Sequence, residues 1–137
     1  MSKKVLCAVD GSEQSDRAIQ VAAEIAKASN RDLTLLVVDQ VILLGRGGSE
    51  HKLGPDEADK VLKAGQAVAA KSGCPDASLV SITCRDVGRA ILNYAEESNV
   101  DHIVVGTGEK GAATRLMVGS VSHDLVHRAH CTVTVAR

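Results

Sequence analysis

Glycines at positions 106, 108, 111 and 119, with the hydroxyls of Thr107, Ser120 and Ser122 among them, make up the stretch of this chain best suited to chemistry. A glycine has no Cβ, so its backbone N–H can approach an anion closely. A helix opening at Ser120 would add the positive end of its dipole. The span Gly106 to Ser122 therefore reads as a cradle for phosphate oxygens, gripped from both ends. Gly106-Thr107-Gly108-Glu109-Lys110-Gly111 also matches G-x-G-x-x-G, the dinucleotide fingerprint. Its context does not fit: that motif opens a helix directly and needs a later strand ending in an acid about 20 residues on. Here Gly119-Ser120 intervenes, and the final apolar run ends the sequence. No G-x-x-x-x-G-K-[ST] occurs, which excludes a Walker loop. Asp10 and Asp39 could end two strands as in a phosphoacceptor domain, but the last strand offers no lysine to pair with a phosphoryl group.

Other reactive residues point to structure. His123, His127 and His130 fall at i, i+4 and i+7, which could mimic a metal site, yet no carboxylate or cysteine pair completes a set. They read as solvated surface histidines, and no metal is expected. Cys7, Cys74, Cys84 and Cys131 are widely spaced without a C-x-x-C, as reduced thiols are. Cys7 and Cys131 lie in apolar runs, where cysteine packs as a small hydrophobe. Acyl transfer lacks its G-x-S-x-G elbow. No general base is placed to activate water, so no catalytic residue is assigned.

Positioning such a cradle requires a sheet. Aliphatic runs at 4–9, 33–38, 78–83, 102–105 and 132–136 carry Val, Ile and Leu without polar alternation, as strands buried on both faces of a parallel sheet do. Between them lie helical patterns. Glu13 to Ser29 follows the cap Ser12 and turns Ala18, Ile19, Ala22, Ala23, Ile25 and Ala26 inward. Asp56 to Ser72 enters through Pro55, closes at Gly73 and presents Val61, Leu62, Ala64, Val68 and Ala69. Val87 to Ser98 follows Asp86, with Ile91, Leu92 and Ala95 inward; Ser120 to Ala129 sets Val121, Leu125 and Val126 on one face. The order β-α-β-α-β-α-β-α-β predicts an α/β fold: a five-stranded, doubly wound, Rossmann-like open parallel sheet with four helices. Ligands of such sheets sit at the carboxyl ends of the strands, near the switch point, just after Val9, Val38 and Val105. The connection from Asp39 to Gly54 is long for a loop and includes Val41-Ile42-Leu43-Leu44 and Gly45, Gly47 and Gly48, as in a lid or an interface.

The 137 residues suit one domain, read as 1–137. Sixteen basic residues against seventeen acidic give no footprint for nucleic acid or an anionic membrane. With Tyr94 the sole aromatic among Phe, Trp and Tyr, base stacking on aromatic platforms is unavailable. No apolar run approaches the roughly 20 residues of a membrane span, and no signal-like segment precedes Val5, so a cytoplasmic protein is expected.

Taken together, Val5-Leu6-Cys7-Ala8-Val9-Asp10-Gly11-Ser12, Leu35-Leu36-Val37-Val38, Asp101-His102-Ile103-Val104-Val105-Gly106 and Gly119-Ser120-Val121-Ser122 resemble, in order and over essentially the whole chain, the signatures of the universal stress proteins. The resemblance implies a sheet of the adenine nucleotide alpha hydrolase type and a homodimer through the last strand, Thr132 to Ala136. In one branch of the family it also implies ATP or another adenine nucleotide, with or without Mg2+. Adenosine would then be held by Ala8, Val9, Asp10 and Val38. Phosphates would meet Val105, Gly106, Thr107, Gly108, Glu109, Gly119, Ser120, Val121 and Ser122. The family's phosphate motif, G-x-x-G, nine residues, then G-[ST], is met by Gly106, Gly119 and Ser120, but its second glycine is Glu109 here. Two functions follow as alternatives: a dimeric nucleotide-binding stress or regulatory protein acting through an unknown protein partner, or a nucleotide-free interaction module of the same fold.

Overall fold

The computed structural model describes residues 3–107 and 120–137, so Gly108, Glu109, Lys110, Gly111 and Gly119 lie outside the described residues. The elements run β1 (Lys4–Val9), α1 (Glu13–Ser29), β2 (Asp32–Leu43), β3 (Ser49–His51), α2 (Pro55–Lys71), β4 (Ser78–Cys84), α3 (Val87–Glu97), β5 (Val100–Gly106), α4 (Ser120–Arg128) and β6 (Thr132–Ala136). Five strands pair in parallel in the order β4-β2-β1-β5-β6. The chain works outward from β1 through β2 to β4, then crosses to β5 and β6 on the other side. The switch point therefore lies between β1 and β5.

The central strands β1 and β2, and Ile103 to Val105 of β5, are apolar on both faces because both are covered, whereas β4 and β6 at the sides and the hairpin strand β3 carry exposed polar residues. Val5, Cys7 and Val9 of β1, with Leu33, Leu35 and Val37 of β2, pack in one cluster with α1 and α2. Leu6, Leu36, Ile103 and Val105 face the other way, among Ile91 and Ala95 of α3 and Leu125 of α4. Full burial of one such aliphatic side chain contributes about 1.5–3 kcal/mol. Tyr94 packs against this second cluster. α1 begins where Ser12 accepts a hydrogen bond from Ser15 N–H (3.1 Å) and ends at Asn30 in the left-handed conformation, φ 55°.

Three expectations change. Half of the long connection is strand: β2 continues to Leu43 and returns as β3, antiparallel, with Val41 opposite His51 and Leu43 opposite Ser49. The β-branched Val41 and Ile42 sustain the extended backbone, and Gly47, at φ +79°, supplies the turn. Among the described residues the sheet thus has six strands, one of them antiparallel. On α2 the buried position is Gly65 rather than the exposed Ala64. A Cβ at Gly65 would stand 3.1 Å from Ile19 Cδ1 of α1 and 3.3 Å from Leu35 Cδ1 of β2, so α2 packs tightly against both at this position. On α4, Val126 is 53% exposed, while Ser122 and Leu125 turn inward.

Candidate functional site

A cleft of about 1100 Å³ opens outside the carboxyl ends of β1 and β5 and beside β2 at Val38 and Gln40. Of the residues expected at the site, Ala8, Val9, Asp10, Val38, Val105, Gly106, Thr107, Ser120, Val121 and Ser122 all line it. Gly108, Glu109 and Gly119 lie outside the described residues. The starts of α1, α3 and α4 all border this space, through Ser12 and Ser15, Asp86 to Gly88, and Ser120 to Asp124 respectively. Their dipoles give the cleft a positive bias toward anions.

At the end of β1, Asp10 Oδ1 accepts a hydrogen bond from Ser12 N–H (2.9 Å), and Asp10 N–H donates to Ser15 Oγ (3.1 Å). This closes the turn into α1, with Gly11 at φ +86°. Asp10 is exposed, and its Oδ2 carries no hydrogen bond among the described residues, so it can accept one from a ligand hydroxyl. Behind it Cys7 is wholly buried. Burial, reinforced by the Asp10 charge, pushes its thiol up, so no thiolate forms here. Cys131 stands just before β6, and its thiol is likewise pushed up, by burial first and then by the Asp101 carboxylate.

At the end of β5, a Cβ on Gly106 would lie 2.6 Å from the Gln14 carbonyl oxygen. The glycine is required there by the close passage of α1. Ser122, buried on α4, donates its hydroxyl to the Gly106 carbonyl (2.6 Å). The hydroxyl's single proton is thus committed to tying α4 to β5, whereas the first backbone N–H groups of α4 have no partner within the helix.

The hairpin contributes a wall that sequence reasoning missed. Asp39, 2% exposed, accepts hydrogen bonds at Oδ1 from Leu53 N–H (3.1 Å) and Gly54 N–H (3.2 Å), and its Oδ2 meets His51 Nδ1 at 2.7 Å. Burial works to raise its pKa, but the His51 hydrogen bond, the two backbone donors and the His51 charge outweigh it. The carboxyl is held below its ordinary value. This latch brings Lys52 and Leu53 to the cleft. Arg85, also on the wall, is fixed by Gln40, whose Nε2 donates to the Arg85 carbonyl (3.1 Å). Two of the cleft carboxylates are already engaged. Asp86 caps α3 by accepting from Arg89 N–H (3.1 Å), and Asp124 pairs with Arg128 (3.0 Å). The one sequence signal for this wall was the apolar run continuing past Asp39.

A family model described as the universal stress protein family matches residues 1–137. The chain belongs to that family. The universal stress protein YxiE of Bacillus subtilis is 28% identical, with all of both chains covered. A universal stress protein solved in complex with cAMP superposes with a TM-score of 0.76 at 25% identity, covering 99% of this chain and 97% of that one. The universal stress protein from Archaeoglobus fulgidus superposes with a TM-score of 0.80 at 21% identity over the full length of both, a likeness of fold. Among the described residues of this family member, no helix is long and apolar enough to cross a membrane.

Proposed function

We propose that this protein binds an adenine nucleotide in the cleft and acts as a dimeric regulatory protein rather than a catalyst. The observation that carries the reading is the convergence of Asp10, β2 at Val38, and the start of α4 on one space at the switch point. Asp10 Oδ2 would accept from a ribose hydroxyl, the backbone at Val38 would meet the base, and the N–H groups opening α4 would meet phosphate oxygens. The family member solved with cAMP supports an adenine nucleotide as the ligand class. Glu109, where the family motif has glycine, favours a nucleotide with few phosphates over a triphosphate. Mg2+ would enter only as the counter-ion of a polyphosphate.

Dimerisation is proposed through β6, which pairs with β5 alone among the described residues and so presents a strand edge. The second reading, a nucleotide-free interaction module, draws on the hairpin, where Ile42, Leu43 and Leu44 are 44%, 60% and 49% exposed. Mass spectrometry of gently purified protein separates the two. Co-purified AMP, ADP or ATP, with a thermal shift on adding millimolar nucleotide, is expected. Absence of both would favour the interaction module.

A further inference from the structure

His123 and His127 stand one turn apart on α4, both exposed, with ring centroids 4.3 Å apart and Nε2 atoms 3.2 Å apart. Two imidazoles at that separation can share one proton, one nitrogen donating and the other accepting. The same separation suits a metal ion. Two zinc–nitrogen bonds of about 2.0–2.1 Å, set at a tetrahedral angle, hold their nitrogens about 3.3–3.4 Å apart. We propose that His123 and His127 form a two-histidine clip for a borderline first-row divalent cation such as Zn2+, with the cation taking the place of the shared proton.

The helix supplies the spacing, since residues four apart lie on one face, so the pair needs only small ring rotations to bind. Imidazole ligands select against Mg2+, which prefers oxygen. Asp124 does not compete for the cation or complete its shell, because both its oxygens are turned to Arg128 Nη1 (3.1 and 3.0 Å). His130 lies beyond the end of α4 at Arg128. Among the described residues no group of three or more His, Cys, Asp or Glu could hold a metal ion, so water or an external oxygen ligand would fill the remaining positions. His123 also lines the cleft, which puts the clip at its edge. The inference does not depend on nucleotide binding.

The test is a Zn2+ titration of the full chain under reductant, read from the ring-nitrogen resonances of its five histidines. Expected is a one-to-one saturation that moves the His123 and His127 signals together and leaves the other three in place, with no response to Mg2+. His123→Gln and His127→Gln should each weaken binding at least about tenfold, while His130→Gln leaves it unchanged. All three side chains are exposed, so the variants should keep their melting temperatures. Zinc that moves neither ring, or affinity that survives both substitutions because thiols supply the ligands, overturns the proposal.

Discussion

Asp10 and Asp39 are both carboxylates following apolar strand residues, yet their surroundings give them opposite work. Asp10 holds a turn with one oxygen and leaves the other open to the cleft. Asp10→Ala should therefore lower adenine-nucleotide affinity roughly tenfold or more, since a hydrogen bond to a charged group contributes about 1.5–3 kcal/mol. Calorimetric titration checks this; unchanged affinity would remove Asp10 from the ligand site. Asp39 is enclosed, and both its oxygens are occupied. Because its folded pKa lies below the ordinary 3.8, its contribution to stability is fully present above that pH and is lost as pH falls through the folded value. Asp39→Asn should cost about 1–3 kcal/mol in urea unfolding at neutral pH, with the gap to wild type closing below pH 3.8. A gap that widens in acid would contradict the assigned sign. If the carboxylate of Glu109 opposes bound phosphates, the cost is on the order of 1 kcal/mol. Glu109→Gly should tighten ATP more than AMP in parallel titrations.

Among the elements, the packing of β5 against the start of α1 leaves no room for a Cβ at Gly106. Gly106→Ala should lower stability by about 1–3 kcal/mol in thermal or urea melts even without ligand, as overpacking does. If instead stability holds and only ligand affinity falls, the glycine serves the phosphates alone. This position shows how far the sequence could be read. Runs such as Val5 to Val9 and Ile103 to Val105 announce doubly covered strands because hydrophobic burial is written into residue type. Ser12 and Asp86 likewise announce helix starts, because a cap is a local hydrogen bond. Contacts between distant segments were not legible. Nothing near Asp39 in sequence announces that Leu53 and Gly54 will donate to it, and nothing near Gly106 shows that Gln14 passes overhead. The cleft residues expected from β1, β2, β5 and α4 come from the ends of β1 and β5, from Val38 within β2, and from a helix start. Lys52 and Arg85 were missed because a hairpin and a crossover deliver them.

Across the whole molecule, the two helical layers leave β6 at one end of the parallel order. If two copies join there, charge placed on that strand should separate them, since natural edge strands use lysine to prevent pairing. Thr132 is exposed, and Thr132→Lys should shift sedimentation equilibrium from dimer toward monomer without lowering the melting temperature of the monomer. A dimer indifferent to that change would place the interface elsewhere. The aliphatic core has one more consequence. With no Trp or Phe, and Tyr94 alone on α3, the folded protein is almost dark in the near ultraviolet. Any purine retained through purification would dominate the absorption spectrum, and an emissive purine analogue could be excited with little protein background. Occupancy could then be followed optically, with no label on the chain.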